Sequence, residues 1–226
     1  MESQLRSRLN ANKQRCQEKK EFLNPPATSG RAQEFVNVWS MIIYISCAWF
    51  WIYTWRPGFR VQVMIAAATV HCGASVLYHT MCFSSTYTGN YCNLWRFRIA
   101  DMIGIHQVMA TVFWTVSDFP WYATFVVWAA TLHACWRLLQ DWENKQRDRH
   151  FICILRTMFA ALVPMGARGE WMFVGCQALC ITCGAVCYAL SDTHLYGYGH
   201  GLFHFCLIPY VGIFMASGMA REPSFV

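Results

Sequence analysis

Two histidines four residues apart open the last apolar stretch of the chain, GYGHGLFHFCLIPY. Residues at this spacing lie on one face of a helix, one turn apart, so His200 and His204 share a face. The same spacing separates Ser75 from His79 in an earlier apolar stretch, and Asp101 follows in RFRIADMIG. Imidazole, carboxylate and hydroxyl groups are the side chains that bind zinc and move protons in hydrolytic enzymes.

These residue types predict a zinc site. Three neutral imidazoles and a water form a catalytic zinc site with one open position, and we predict that His79, His200 and His204 are the ligands. Bound zinc lowers the pKa of its water toward 7 and so supplies hydroxide where bulk water is scarce. Asp101 is predicted to hydrogen-bond that water as general base, or to orient a ligating histidine. Ser75 is predicted to donate to a developing oxyanion or to fix the water.

The elements that carry these residues are predicted to be membrane-spanning helices. The chain is 56% hydrophobic and only 13% charged, whereas a soluble domain has about 25% charged residues. A spanning helix needs about 20 mostly apolar residues. Seven segments qualify, at 35–55, 61–83, 98–117, 120–139, 150–167, 170–191 and 197–218. We predict an all-α fold: a seven-transmembrane-helix bundle over 34–220, with a polar basic arm at 1–33 and a short tail at 221–226.

The order of the spans brings the predicted site to one membrane leaflet. His79 lies about one turn before the end of the second span, and Asp101 about one turn after the start of the third. The seventh span runs parallel to the third, and its first two turns carry the histidine pair. Titratable groups inside a bilayer are costly, so their matching depth favours a functional site. His71, one turn before Ser75, is a candidate to line a cavity. The remaining histidines in the spans and at their ends are interpreted as structural: His106, His133, His150 and His194.

The basic residues predict the orientation. If the N-terminus is cytoplasmic, thirteen basic residues flank the spans on the cytoplasmic side and four on the opposite side. The positive-inside rule favours that arrangement. The net charge of +6 is explained by this placement beside the spans, so we expect a membrane lipid, and no nucleic acid, as the partner.

Most of the twelve cysteines lie inside apolar spans, where a thiol packs as a small apolar group. Cys82 and Cys92 flank one loop and form a plausible disulfide only if that loop faces an oxidising compartment. Such a disulfide would demand the orientation opposite to the one that the basic residues favour.

The motifs in their order resemble the CREST superfamily of seven-span membrane proteins. The shared pattern is Ser-x-x-x-His in an early span, Asp in the next and His-x-x-x-His in the last, which here are Ser75 and His79, Asp101, and His200 and His204. Members include alkaline ceramidases, the progestin and adiponectin receptor family, hemolysin-III-like proteins, Per1-like GPI-remodelling proteins and the myomaker group. YHTMCF, YCNLWRFRIADMIG and YGYGHGLFH look like the myomaker group, and RFRIADMIGI also looks like the hemolysin-III and adiponectin-receptor branch.

The resemblance implies an integral membrane zinc-dependent hydrolase that acts on a lipid amide or ester, such as a ceramide-like lipid, a phospholipid or a GPI acyl chain. The alternative is a non-catalytic seven-span receptor or membrane-remodelling protein with a structural zinc, because both branches keep the ligand set. A transporter with a histidine proton relay is less favoured, because its titratable groups would be spread across the membrane rather than clustered in one leaflet.

Overall fold

The computed structural model describes residues 30–88, 94–117, 125, 127–141, 147–191 and 194–219. Its helices are α1 (Arg31–Trp55), α2 (Phe59–Thr88), α3 (Leu94–Val116), α4 (Trp128–Asp141), α5 (Arg147–Ala160), α6 (Val163–Ala167), α7 (Trp171–Ala189) and α8 (Gly199–Met219). No strand occurs in these ranges, so the predicted all-α fold is confirmed for the part of the chain that the structure describes. The predicted tail at 221–226 and most of the predicted arm lie outside it.

Five helices are long and apolar enough to cross a membrane: α1, α2, α3, α7 and α8. They correspond to the first, second, third, sixth and seventh predicted spans, and they make the chain a multi-pass membrane protein by length and composition. Large apolar side chains such as Tyr53, Phe59 and Met172 are exposed on their outer surface. Such exposure is expected of helices that are apolar all round and have lipid as their solvent.

The fourth and fifth predicted spans correspond to shorter helices. The described helix α4 has 14 residues, and the start of the fourth predicted span, 120–124 and 126, lies outside the described residues. The fifth span is divided into α5 and α6 by a turn at Ala161 and Leu162. Pro164 stands in the first turn of α6. A proline has no N–H to donate, and its ring clashes with the carbonyl four residues earlier, so an unbroken helix through Ala160 is disfavoured.

Close helix contacts hold the bundle together near its polar groups. The helix α2 packs between α1 and α3, and α8 packs against α1 and α7. A Cβ atom on Gly104 would lie 2.9 Å from Cδ2 of His71, and one on Gly201 would lie 2.7 Å from Cγ1 of Val36. Small residues at these two crossings let the backbones approach, so α3 lies tightly on α2 and α8 on α1.

We call the end of the bundle where α1, α3 and α8 begin the histidine end, and the opposite end the far end. At the far end, Arg168 donates to the Val116 carbonyl at 2.6 Å, to Ser217 Oγ at 3.0 Å and to the Glu170 carboxylate. This network joins the end of α3, the start of α7 and the end of α8.

Two apolar contacts position the shorter helices at the histidine end. The Phe151 ring at the start of α5 stacks on Tyr188 at the end of α7, with 4.6 Å between ring centroids. Leu138, near the end of α4, packs with Ile99 near the start of α3. The end of α4 and the start of α5 therefore lie at the histidine end.

Candidate metal centre

Three histidines meet at the histidine end of the bundle. His79 comes from the last part of α2, and His200 and His204 come from the first two turns of α8. One ligand nitrogen from each lies within 4.8 Å of the other two. We call these three residues the histidine trio. His79 and His204 are 2% and 4% exposed, whereas His200 is half-buried.

The side chains of α1 orient His79. Oε2 of Glu34 lies 2.7 Å from His79 Nδ1, and the carboxylate is itself buried. A carboxylate accepts, so the Nδ1 atom carries the proton and Nε2 carries the lone pair. His79 Nε2 is buried and has no hydrogen-bond partner among the described residues. An unpaired buried acceptor is costly, and a metal ion would satisfy it.

Ser40 orients His204 in the same way. Its Oγ lies 2.8 Å from His204 Nδ1 and donates to the Asn37 carbonyl at 2.9 Å. A hydroxyl has a single proton, so Ser40 accepts from the Nδ1–H of His204. The Nε2 atom of His204 is then the one that carries a lone pair.

The donor set fits zinc. Histidine ligands of zinc typically donate their other ring N–H to a carboxylate or another oxygen acceptor, which fixes the tautomer. Two members of the trio show that arrangement. Zinc–nitrogen bonds are about 2.0–2.1 Å long, so nitrogens that share one zinc lie about 3–4 Å apart. Small side-chain rotations would bring the trio to that spacing.

Asp101 lies beside the trio with partners of its own. Its Oδ1 is 3.3 Å from His71 Nε2, and its Oδ2 accepts from Arg98 Nη1 at 2.9 Å. The Arg98 guanidinium also lies over the Tyr78 ring, 5.1 Å from the centroid. His71, a candidate to line a cavity, is therefore paired with the aspartate, and the predicted roles of Asp101 at the metal stay predictions.

Ser75 is buried on α2, with 1% of its surface exposed. It lies one helical turn from His71 on one side and one turn from His79 on the other. The residue therefore lies between the partner of Asp101 and the trio, and its predicted role toward an oxyanion stays a prediction.

Comparison with known proteins gives no relative. No protein-family model matches the chain, and no curated protein or solved structure matches it. Membership of the CREST superfamily therefore stays a prediction that depends on the order of the motifs.

Sequence reasoning missed Glu34, Asn37 and Ser40. The predicted first span begins at residue 35, whereas α1 begins a full turn earlier, at Arg31, so Glu34 falls outside the predicted span. The signal is present in EFVNVWS, where three polar residues recur every third position at the start of an apolar helix. These three residues lie at the same depth as His79, and matching depth is the criterion by which the other site residues are predicted.

Cys82 is buried with Tyr78 and Leu94 in a small apolar cluster at the histidine end. Cys82 is a free thiol in the structure, and Cys92, the other member of the conditional pair, lies outside the described residues.

Proposed function

We propose that this chain is a seven-span membrane protein that holds zinc through His79, His200 and His204 and hydrolyses an amide or ester bond of a membrane lipid. The observation that carries the proposal is the histidine trio, with two of its Nδ1 atoms bonded to oxygen acceptors and a buried Nε2 without a partner among the described residues. When bound, zinc supplies Lewis acidity and makes water acidic enough to be a nucleophile near neutral pH.

The residues of α1 hold the protons that this chemistry requires. Glu34 and Ser40 keep the Nδ1 protons on His79 and His204, so that both Nε2 lone pairs stay available for a metal. The amide of Asn37 lies 3.5 Å from the Glu34 carboxylate as a long, weak donor. This support favours a metal site with neutral imidazoles over an ordinary packing contact.

Asp101 is the proposed proton acceptor for the attacking water. His71 and Arg98 contact its two carboxylate oxygens from α2 and α3 and hold the group in place. Ser75 is the proposed donor to the oxyanion that develops on the lipid carbonyl, because it lies one turn from His79 on α2.

The contacts of the shorter helices support seven crossings rather than five. The end of α3 and the start of α7 lie together at the far end, so the chain between them crosses an even number of times. Phe151 places the start of α5 at the histidine end, and Arg168 places the residue after α6 at the far end.

Together α5 and α6 cover that distance as a broken helix. A membrane tolerates such a break where it is buried in protein, because the freed backbone groups then find partners away from lipid. Ala161 and Leu162, the two residues at the break, are both buried. The break is therefore compatible with a crossing by α5 and α6.

The depth of the trio supports a lipid substrate. His200 and His204 lie in the first two turns of α8, and His79 lies about two turns before Ser85, where the membrane-length part of α2 ends. The site therefore lies toward the boundary between the hydrocarbon core and the headgroups. The amide or ester carbonyls of membrane lipids lie at that boundary. With a cytoplasmic N-terminus, as the basic residues favour, the site belongs to the cytoplasmic leaflet.

The test is lipid turnover by purified protein in liposomes. Ceramide, phosphatidylcholine and a GPI-anchored peptide are supplied in turn, and released fatty acid is measured by mass spectrometry. We expect release from at least one of them, and its loss in Asp101→Asn and His204→Ala. Glu170→Gln, at the far end, is the control and retains turnover. Zinc retention without turnover of any of these lipids would overturn the hydrolase and favour a receptor or remodelling protein with a structural zinc.

A further inference from the structure

His200 differs from the rest of the trio in its surroundings. His79 and His204 are buried against the polar residues of α1. The ring of His200 contacts those two histidines on one side and aromatic rings on the other, with Tyr188 at 5.5 Å and Phe203 at 6.5 Å between centroids. The side of His200 toward α7 therefore faces the Tyr188 ring.

Two aromatic rings lie in layers over that face. Tyr188 lies next to His200, and Phe151 stacks on Tyr188 with an interplanar angle of 20°. Phe151 belongs to α5, which packs against α7 and α3. The next residue along α5, Ile152, is exposed on the outer surface of the bundle. Phe151 and Tyr188 thus form a continuous pair of rings from α5 to His200.

We propose that Phe151 and Tyr188 form an aromatic cover over His200, which a lipid acyl chain displaces to reach the trio. The flat, apolar faces of the rings suit a hydrocarbon chain, and Phe151 carries no polar atom for a headgroup. The two rings therefore select for the chain next to the bond that is cleaved. The inference that the acyl chain belongs to a substrate rests on the proposed function, whereas the cover itself depends only on the packing of the rings.

The cover is tested by chemical modification of His200 in zinc-stripped protein. Diethylpyrocarbonate reacts with accessible neutral imidazoles, and the modified histidines are identified by peptide mass spectrometry. We expect Tyr188→Ala to accelerate modification of His200 several-fold and Tyr188→Phe to leave it unchanged, because the ring provides the cover. Phe205→Ala, which removes an exposed ring elsewhere on α8, is the matched control. Equal rates in Tyr188→Ala and the control would overturn the cover.

A folding control keeps that result interpretable. His79 and His204 are buried and should stay slow to react in every variant. If all three histidines react faster in Tyr188→Ala, the measurement is repeated with Phe151→Ala, because this substitution removes only the outer ring of the cover. Faster modification of His200 alone in Phe151→Ala supports the cover, and an unchanged rate overturns it.

The occupant is tested separately with a photoactivatable palmitic acid that carries a diazirine in its chain. We expect cross-links at the peptides that contain Phe151 and Tyr188 in wild type, reduced by excess unlabelled palmitate. Cross-links spread evenly over the exposed rings of α1, such as Phe50 and Tyr53, would overturn the acyl-chain path. Neither measurement depends on zinc or turnover, so both results can be interpreted even if the protein hydrolyses no lipid.

Discussion

Glu34 orients His79 through a 2.7 Å contact with Nδ1. Removing the acceptor frees the ring to rotate and to exchange tautomers, so Glu34→Ala is expected to weaken zinc binding about 10–100-fold. Glu34→Gln should lose less zinc affinity, because an amide oxygen still accepts the hydrogen bond from Nδ1. Zinc affinity is measured by competition with a chromogenic chelator.

The control for that series is Glu170→Ala, which removes another hydrogen-bonded carboxylate, at the far end. Its zinc affinity should equal that of the wild type. Equal affinities in Glu34→Ala and wild type would contradict the assignment of Glu34 as the residue that positions His79.

Glu170 links stability to pH. Burial raises the pKa of its carboxyl, but hydrogen bonds from Arg168 and Ser217 outweigh burial and leave the pKa below its ordinary value. A carboxyl with a lowered folded-state pKa stabilises the fold above its unfolded pKa of about 4.3. That stability is lost as pH falls through the folded value.

We therefore expect the thermal stability of the wild type in detergent to fall more steeply than that of Glu170→Gln as the pH drops from about 5 through 4 and below. Melting temperatures at matched pH values measure the difference. Parallel pH profiles for the two proteins would contradict the role of this carboxylate.

The pattern of polar residues was enough to predict the histidine trio, because the four-residue spacing puts His200 and His204 on one helix face and the order of the spans puts His79 at the same depth. It was not enough to predict the partners of Asp101. The contact between Asp101 and His71 depends on how close α3 comes to α2, and that closeness is set by Gly104, which offered no polar signal in the sequence.

Gly104 is the test of helix packing. An added Cβ would lie 2.9 Å from Cδ2 and 3.1 Å from Cα of His71, and a backbone atom cannot give way as a side chain can. Gly104→Ala is expected to destabilise the protein by about 1–3 kcal/mol, the usual cost of overpacking. Unfolding in mixed micelles measures the change.

Gly73 on α2 provides the comparison, because a Cβ there would have no atom within 4 Å. Gly73→Ala should be neutral or slightly stabilising, since alanine favours the helix over glycine. If the two variants were equally stable, close approach of α2 and α3 at Gly104 would be contradicted.

Hydropathy was sufficient for the first, second, third, sixth and seventh predicted spans and insufficient for the fifth, whereas the start of the fourth lies outside the described residues. A window of apolar residues measures composition alone. It does not register the backbone break that Pro164 imposes after Ala160, so the sequence predicted one continuous helix where the structure has α5 and α6.

The path of the whole chain is tested by the side on which its loops lie. Seven crossings place the N-terminal arm and the segment 142–146 on the same side of the membrane. With five crossings, α4, α5 and α6 would lie beyond the far end of the bundle or inside the bilayer. The segment 142–146 would then not lie on the same side of the membrane as the arm. The proposed topology therefore makes a specific prediction for one short segment.

A short epitope inserted between Lys145 and Gln146 should be accessible from the cytoplasmic side, like an epitope at the N-terminus. Antibody access in selectively permeabilised cells measures both. Access to the two epitopes from opposite sides of the membrane would contradict seven crossings.

Depth along the spans could be predicted because consecutive helices alternate in direction. Which helices become neighbours could not be predicted from the sequence. The contact of α8 with α1, which brings His204 to Ser40, closes the bundle between its first and last helices. That closure depends on the small size of Gly201 against Val36, a matter of shape rather than of polarity.

Zinc binding by the histidine trio is measured by the metal content of the purified protein. Detergent-purified wild type and the double variant His200→Ala/His204→Ala are compared by elemental mass spectrometry, with monodisperse gel filtration as the check on folding. We expect about one zinc per chain in the wild type and none in the variant. A folded wild type without zinc, or a variant that retains it, would contradict the metal centre.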